Sequence, residues 1–284
     1  MQMLDAPLSK LLPGLFEIFR PITTPDVPLI VAASILADYE HPIVPVRRGR
    51  SQAGVEKEGL KLFRAVGGQQ VIRLIVRTRP ADYQGLLWRP CSATSIWLGA
   101  VEYGESLERL LRVFELTGFG DARVNAPAPP HGLVTLEEVV SLYREGTLRC
   151  NAKVEEVASR AISVDPDAEL IDAMTTMCDR RVRRLFLSGR RGEYISDRSI
   201  LAFLFSPRLL TVAKDSPESW TNGKVSEVPT TTAREVSSGD KVEDVGRLAD
   251  PDRDVFTLSE GGFLVSRWDL VMKPWKAKKL TLSG

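Results

Sequence analysis

The chain has 284 residues, of which 43% are hydrophobic and 26% are charged, a balance that is typical of globular proteins and leaves room for two ordinary domains. The formal net charge of +1 excludes a strong overall field that would attract nucleic acid or anionic membranes. The longest apolar run, residues 27–37, is too short to cross a bilayer, which favours a buried helix.

Three cysteines, Cys91, Cys150 and Cys178, lie far apart and form no CxxC pair. An odd number of separated cysteines is typical of reduced thiols and not of a disulfide framework or a zinc site. Residues 1–20 lack the basic start and apolar centre of a signal peptide. These features predict a cytoplasmic protein without a metal site.

The first 90 residues give the least clear pattern. DVPLIVAASILADYE predicts an apolar helix and HPIVPVRRG a strand, followed by a polar insert, SQAGVEKEGLKLF. After the insert come QQVIRLIVRT, in which Thr78 is interpreted as a strand end, and PADYQGLLW.

Residues 91–149 show a clearer order of strand, helix, strand, strand and helix. SIWLGAV predicts the first strand, and ESLERLLRVFELTG predicts a helix that ends at Gly118. One face of that helix carries the apolar residues Leu107, Leu110, Leu111 and Phe114. ARVNA and LVT predict two further strands, and LEEVVSLYREG the closing helix.

The same order occurs twice more. The first copy reads AISV, DPDAELIDAMTTMCDR, RRLFLSG, EYIS and DRSILAFLF, with an acidic and proline-containing start, residues 165–167, assigned to its first helix. The second copy reads SEVPTTTAREV, a helical segment around residues 242–249, DVFTL, FLVS and SRWDLVMK. Threonine or serine at a strand end then recurs at Thr78, Thr135, Ser196 and Ser266, at intervals of 57, 61 and 70 residues.

This repeated pattern resembles the CBS domain, named after cystathionine β-synthase, whose ligand motif is roughly Gly-apolar-apolar-(Thr/Ser)-x-x-Asp. Residues 154–201 carry the best match, followed by GFLVSRWDL and HGLVTLEEVV, whereas VIRLIVRTRPADYQGLL matches loosely. The resemblance implies an α/β (α+β) fold of four tandem βαββα units that form two paired modules, divided near Arg149. The expected units are residues 1–90, 91–149, 150–212 and 213–284, called units 1 to 4 below.

CBS domains pair into Bateman modules with clefts for adenine nucleotides. The resemblance therefore implies a regulatory sensor of AMP, ADP or ATP, with S-adenosylmethionine or a cyclic dinucleotide as further options, and no catalytic domain. The signal would pass to a separate effector protein or to a change of oligomer. The chain is expected to be either a monomeric disc or a homodimer formed through its modules, without membrane association.

Serine or threonine followed by an acid at a strand-to-helix junction can serve a nucleotide in two ways. The hydroxyl and the helix N-terminus can face a phosphate, while the carboxylate can accept both ribose hydroxyls. Ser266 and Asp269 match this pattern fully, and Arg267 between them is a candidate phosphate partner. Thr135 and Glu138 keep the charge, but the glutamate is one methylene longer.

Units 1 and 3 depart from the motif. In unit 3, Ser196 is present but Ser199 holds the acid position, so Arg184 and its neighbouring arginines are the expected phosphate contacts, and Ile162 a candidate for the base slot. In unit 1, Ala81 holds the acid position after Thr78. We expect that site to be empty or altered.

Two other interpretations remain open. Ser/Thr-x-x-Glu is also the capping box that begins ordinary helices, so the protein is alternatively an interaction scaffold whose clefts have decayed. A third interpretation is nucleic-acid binding through the arginine clusters and the tail KPWKAKK, against which the near-neutral charge argues. Catalysis is the least favoured, because His41 and His131 are the only histidines and no reacting group has a visible partner.

Overall fold

The structure of the protein, a computed structural model, describes residues 4–15, 21–38, 43–46, 55–57, 60–125, 132–250 and 254–283. Its helices are α1 Leu8–Leu11, α2 Leu29–Asp38, α3 Gly68–Arg77, α4 Tyr83–Leu87, α5 Leu107–Thr117, α6 Leu136–Arg144, α7 Val154–Val157, α8 Leu170–Arg180, α9 Asp197–Leu204, α10 Pro207–Asp215, α11 Val242–Leu248 and α12 Arg267–Lys276. Its strands are β1 Ile43–Pro45, β2 Val55–Lys57, β3 Leu60–Gly67, β4 Ile96–Glu102, β5 Asp121–Asn125, β6 Gly132–Thr135, β7 Leu148–Cys150, β8 Ser159–Arg160, β9 Ser163–Val164, β10 Arg184–Leu187, β11 Glu193–Ser196, β12 Thr231–Thr232, β13 Arg234–Val236, β14 Val255–Leu258, β15 Phe263–Ser266 and β16 Leu280–Leu282.

Units 1 and 2 share one six-stranded sheet. Its order is β1-β3-β4-β5-β6, with β2 paired to β3. The long strand β4 joins the two units, because it pairs antiparallel with β3 of unit 1 and parallel with β5 of unit 2. The first half of the chain is therefore one module held by a continuous ladder of backbone hydrogen bonds.

Units 3 and 4 are joined differently, by exchange of short strands. The two sheets have the orders β12-β11-β10-β9 and β13-β14-β15-β8. Strand β12 from the start of unit 4 therefore lies in the sheet of unit 3, and β8 from the start of unit 3 lies in the sheet of unit 4. Because segments cross over in this way, the division of the chain into four consecutive segments stays a prediction.

The two modules pack on each other through helices. Helices α2 and α3 of unit 1 pack against α8 and α9 of unit 3, while α6 of unit 2 packs against α11 and α12 of unit 4. Each contact is the centre of a large apolar core. Each unit thus contributes to two neighbours, one in its own module through a sheet and one in the other module through helices.

The apolar periodicity of unit 2 predicted its helix correctly. Leu107, Leu110, Leu111 and Phe114 are all fully buried on one face of α5. The helix ends at Gly118, which has a φ of 70°. This left-handed conformation is open to glycine without the steric cost that a side chain would bring.

In unit 1 the predicted apolar helix and the strand after it are confirmed as α2 and β1, but the expected strand that ends at Thr78 was wrong. QQVIRLIVRT is not a strand, because α3 spans Gly68–Arg77 and the Thr78 hydroxyl donates a hydrogen bond to the Leu74 carbonyl at 2.8 Å. The polar insert contains β2, residues 55–57, and the start of β3, residues 60–67. Val71, Ile72 and Ile75 have β-branched side chains that favour strands, but their spacing puts all three on the buried face of α3.

This correction makes the repeat more regular. The residue that precedes α3 of unit 1 is Gly67, so the four junctions lie at Gly67, Thr135, Ser196 and Ser266, at intervals of 68, 61 and 70 residues. A smaller correction concerns unit 3, where α8 begins at Leu170 and residues 165–167 form a turn before it. The α+β class and the CBS-like order of elements are confirmed.

Candidate functional site

The best match to the ligand motif, at the start of α12, is a fully formed helix cap. The Asp269 carboxylate oxygen Oδ2 accepts hydrogen bonds from the backbone N–H and the hydroxyl of Ser266, at 2.9 and 2.7 Å. Its Oδ1 accepts from the Ser159 hydroxyl at 2.8 Å and lies 2.9 Å from Lys273 Nζ. Asp269 is 3% exposed, so in this conformation its carboxylate is engaged by the protein.

Sequence reasoning did not identify two of these partners. Ser159 lies on the exchanged strand β8, 110 residues before Asp269, and no local pattern connects the two. Lys273 follows Asp269 by four residues, a spacing that pairs opposite charges on a helix and was the available signal. Lys273 Nζ also donates to the carbonyls of Val157 and Ala158, at 2.6 and 3.1 Å.

The junction of unit 2 has the same form. Glu138 Oε2 accepts hydrogen bonds from the Thr135 backbone N–H and hydroxyl, both at 2.7 Å. The extra methylene of glutamate is accommodated without loss of either bond. Thr135 is 4% exposed. Thr135 and Glu138 therefore form the capping box that the sequence predicts. Ribose binding by Glu138 stays a prediction.

The junction of unit 3 is capped by two serines. The Ser196 N–H donates to Ser199 Oγ at 2.9 Å, and the Ser199 N–H donates to Ser196 Oγ at 3.0 Å. Asp197 projects away from this pair and accepts from Arg183 Nε at 2.9 Å. A methyl group at Gly68 of unit 1 would lie 2.8 Å from the Asp197 carboxylate, so this ion pair is pressed against the other module.

Three arginines meet where units 2, 3 and 4 approach one another: Arg183 just before β10, Arg184 at its first position, and Arg267 at the start of α12. We call them the central arginine cluster. Arg184 pairs with Asp254, and its Nε has no hydrogen-bond partner in the described part of the chain. Arg267 pairs with Glu137 of unit 2 at 3.5 Å and donates to the Asp250 carbonyl at 2.9 Å.

The cluster is electrostatically strained at Arg184. Burial, with repulsion from Arg183 and Arg267, lowers the pKa of Arg184 to about 10. Burial also lowers the pKa of Arg267, although Glu137 and Glu138 oppose that change. For Arg183, burial is outweighed by the Asp197 carboxylate, and the pKa is raised. An added anion beside Arg184 would stabilise its charged form.

The space next to this cluster is small. A cavity of about 30 Å³ is lined by residues that include Gly67, Gly68, Asp121, Arg183 and Asp197. That volume has room for about one or two water molecules, whereas ligand sites for drug-sized molecules measure roughly 300–1,000 Å³. Ile162, the candidate for a base slot, is half-buried against the core that units 1 and 3 share. A nucleotide would therefore have to widen this junction.

Two of the basic segments that suggested nucleic acid, the one at Arg190 and Arg191 and the C-terminal tail, are largely neutralised. Arg190 and Arg191 pair with Glu193 and Glu235. In the tail, Lys276 pairs with Glu115 at 3.3 Å. Lys279 pairs with Glu156, and Trp275 Nε1 donates to Glu108 at 2.8 Å. The tail is folded onto the body of the protein. Arg47, Arg48, Arg50, His41 and His131 lie outside the described residues.

Among the described residues, no helix combines the length and the apolar character that crossing a membrane requires.

Comparison with known proteins supports the fold. No protein-family model and no curated protein matches the chain. Among solved structures, the chain is similar to protein MJ1225 from Methanocaldococcus jannaschii, which is described as a candidate archaeal homologue of γ-AMPK. The TM-score is 0.75 at 13% sequence identity, and the match covers 93% of this chain and 98% of MJ1225.

Two shorter structures match about half of the chain. CBSX2 in complex with AMP has a TM-score of 0.35 at 19% identity, over 45% of this chain and 99% of its own. The CBS domain of a bacterial CNNM/CorC family Mg²⁺ transporter in complex with ATP has a TM-score of 0.33 at 16% identity, over 48% of this chain and 93% of its own. At 13% identity, the likeness to protein MJ1225 concerns the fold and not the ligand.

Proposed function

We propose that this chain, which has the fold of tandem CBS domains, is a regulatory protein that binds an adenine nucleotide and has no reaction of its own. The fold supports a regulatory role because its four repeated units account for nearly all of the described residues. The observation that carries the ligand proposal is the central arginine cluster, in which burial and two neighbouring cations lower the pKa of Arg184 to about 10.

A phosphate group is the ligand that this cluster suits. Arginine presents a planar set of donors that matches phosphate oxygens, and the bond is strengthened where water is excluded. Arg184 is 21% exposed at its side chain and Arg267 is 17% exposed, so both are largely shielded from solvent. Asp254 now neutralises Arg184, and a bound phosphate would compete with it for the same guanidinium group.

That competition gives the proposed mechanism. Asp254 immediately precedes β14 of unit 4, whereas Arg184 begins β10 of unit 3. Replacing the Arg184–Asp254 pair by an Arg184–phosphate pair would change the contact between the two units. The ligand would thereby favour one packing of the module, to the extent that it binds that packing more tightly. A separate partner protein would then read the change.

The adenine part of the proposal comes from the motif. The junction at Ser266 and Asp269 holds its hydroxyl and acid close to the helix start, as the CBS motif requires, and the junction at Ser196 and Ser199 holds two hydroxyls there. Two half-length neighbours were solved with AMP and ATP, which makes these nucleotides the first compounds to test on this chain.

A second candidate is an interaction scaffold with closed clefts. It is favoured by one observation: the acids at the junctions of units 2 and 4 already accept two hydrogen bonds each from their own helix caps. In such a scaffold the carboxylates cap their helices, and their hydrogen bonds are made without a ligand.

One experiment separates the candidates. Thermal unfolding is measured with AMP, ADP, ATP, S-adenosylmethionine and cyclic dinucleotides, since a ligand at 100 times its Kd adds about 2.7 kcal/mol of stability. We expect an adenine compound to raise the Tm of the native chain and to leave the Tm of Arg184→Ala unchanged. Arg190→Ala, an exposed arginine that pairs with Glu193, is the matched control and should respond as the native chain does. No shift with any compound would favour the scaffold.

A further inference from the structure

A second group of arginines lies in a cleft between the modules. Arg73 and Arg77 on α3 of unit 1 face Cys178, Asp179 and Arg181 at the end of α8 of unit 3. Together with Val76 they line a cavity of about 480 Å³, which is within the usual range for small-ligand sites. These residues are different from those of the central arginine cluster and its small cavity.

The charge in this cleft is not balanced. None of its three arginines forms an ion pair with a carboxylate of the described residues. Asp179 contributes one negative charge, so the lining carries a formal charge of +2. Burial raises the pKa of the Cys178 thiol, although Arg73 and Arg77 oppose the rise, so the thiol adds no negative charge near neutral pH.

The shape of the cleft limits the class of ligand. Arg73, Val76 and Cys178 are half-buried and form its floor, while Arg77, Asp179 and Arg181 are exposed at its rim. The lining contains no aromatic side chain and one aliphatic one, so a nucleobase would find no ring to stack on. Three guanidinium groups with little apolar surface suit a compact anion with several oxygens.

The backbone conformation of Arg181 also indicates a function for its side chain in the cleft. It adopts a left-handed backbone with a φ of 55°, at the position after α8 where glycine is the usual residue. An arginine there accepts a steric cost and places its side chain in the cleft opposite Arg77.

We propose that this cleft binds a compact phosphate anion, either inorganic pyrophosphate or the phosphate of a small organic ester. Such a ligand would bridge Arg73 and Arg77 of unit 1 with Arg181 of unit 3. It would therefore hold the two modules together near the ends of α3 and α8, away from the helix starts that carry the CBS motif.

The test is calorimetric titration of the full chain with inorganic pyrophosphate at fixed ionic strength. We expect binding by the native chain, and a loss of roughly tenfold in affinity in Arg77→Ala and in Arg181→Ala, as the removal of one charge-assisted bond implies. Arg180→Ala is the matched control, since Arg180 is exposed and adjacent but does not line the cleft. It should bind as the native chain does.

Three results would overturn the proposal: no binding of pyrophosphate, an equal loss in Arg180→Ala, or a loss in Arg184→Ala that Arg77→Ala does not share. The last result would place the anion in the central arginine cluster. Retained pyrophosphate binding in Arg184→Ala, with the nucleotide response lost, would support both sites independently. A parallel titration with ribose 5-phosphate distinguishes the source, since tighter binding than pyrophosphate would identify an organic ester as the ligand.

Discussion

The two helical contacts between the modules differ in how completely their polar groups are satisfied. Where unit 2 meets unit 4, the buried Tyr143 hydroxyl donates to the Leu270 carbonyl at 2.8 Å, and Arg267 pairs with Glu137. Where unit 1 meets unit 3, the Arg183–Asp197 pair of unit 3 lies against Gly68, but an arginine-lined cleft of about 480 Å³ is open between α3 and the end of α8. Similar helices therefore build one closed contact and one open contact.

The motif residues follow the same division. Units 2 and 4 have an acid at the third helical position, and in both it caps the helix. Units 1 and 3 lack that acid, because Gln70 holds the third helical position in α3 and Ser199 holds it in α9. The contact with intact motifs is thus the one that the protein closes by itself. The contact with altered motifs keeps exposed charge that a ligand can use.

The largest effect is expected at the closed contact, from Gly246→Ala. A methyl group there would lie 2.5 Å from Tyr143 Cδ2, and the ring cannot move freely because its hydroxyl is bonded to Leu270. We expect the free energy of unfolding to fall by about 2 kcal/mol in urea titrations. The same change at an open helical glycine would stabilise the protein.

Gly239→Ala is the control, because a methyl group there would meet nothing within 4 Å. If Gly246→Ala and Gly239→Ala had the same free energy of unfolding, the contact between units 2 and 4 would have room for the added methyl group and would not be closely packed.

A smaller loss is expected from Asp269→Ala. The change removes the helix cap and leaves Ser159 and Lys273 without their shared carboxylate, which should lower the free energy of unfolding by about 1–2 kcal/mol. Asp269→Asn keeps the acceptor oxygen and should lose less. Unfolding of both variants with and without nucleotide separates the two roles of this residue. An unchanged stability in Asp269→Ala would show that the acid is kept for a ligand alone.

At the open contact, a substitution should instead stabilise the protein. Arg181→Gly relieves the left-handed backbone and should raise the free energy of unfolding by about 1 kcal/mol, while it weakens pyrophosphate binding roughly tenfold, as Arg181→Ala does. Arg180→Gly, one residue earlier and inside α8, should have the opposite sign, with a loss of up to about 1 kcal/mol. A loss of stability in Arg181→Gly would mean that its side chain contributes to packing and not to a ligand.

The smallest effect concerns acid stability next to the closed contact. Burial alone would raise the pKa of Glu243, but hydrogen bonds from Arg149 and from the Cys150 N–H lower it below 4.5. The pair therefore contributes its full stability above the unfolded pKa and loses it as the pH falls through the lower folded value. The difference in unfolding free energy between the native chain and Glu243→Gln should shrink between pH 7 and pH 3, by under about 1 kcal/mol because Arg149 is 45% exposed. A difference that is constant with pH would contradict the assignment.

Much of the candidate site could be predicted from local sequence. A serine or threonine before an apolar helical run specifies a helix start wherever it occurs, and Thr135, Ser196 and Ser266 each cap a helix. The helix start of unit 1 could not be predicted in this way, because its junction residue is Gly67, which has no side chain that could act as a cap. Its helix, rich in valine and isoleucine, is stabilised by burial against unit 3, a contact that local sequence does not contain.

The sequence by itself determined the order of elements, the apolar faces of the helices and three of the four junctions, because these depend on residues within one or two helical turns. Only the tertiary structure decided which side chains those junctions meet. Ser159 reaches Asp269 through an exchanged strand, and Arg184 meets Asp254 and Arg267 from another unit. Such contacts join residues 70 to 110 positions apart, and the energies that favour them arise only when the sheets and helices have packed.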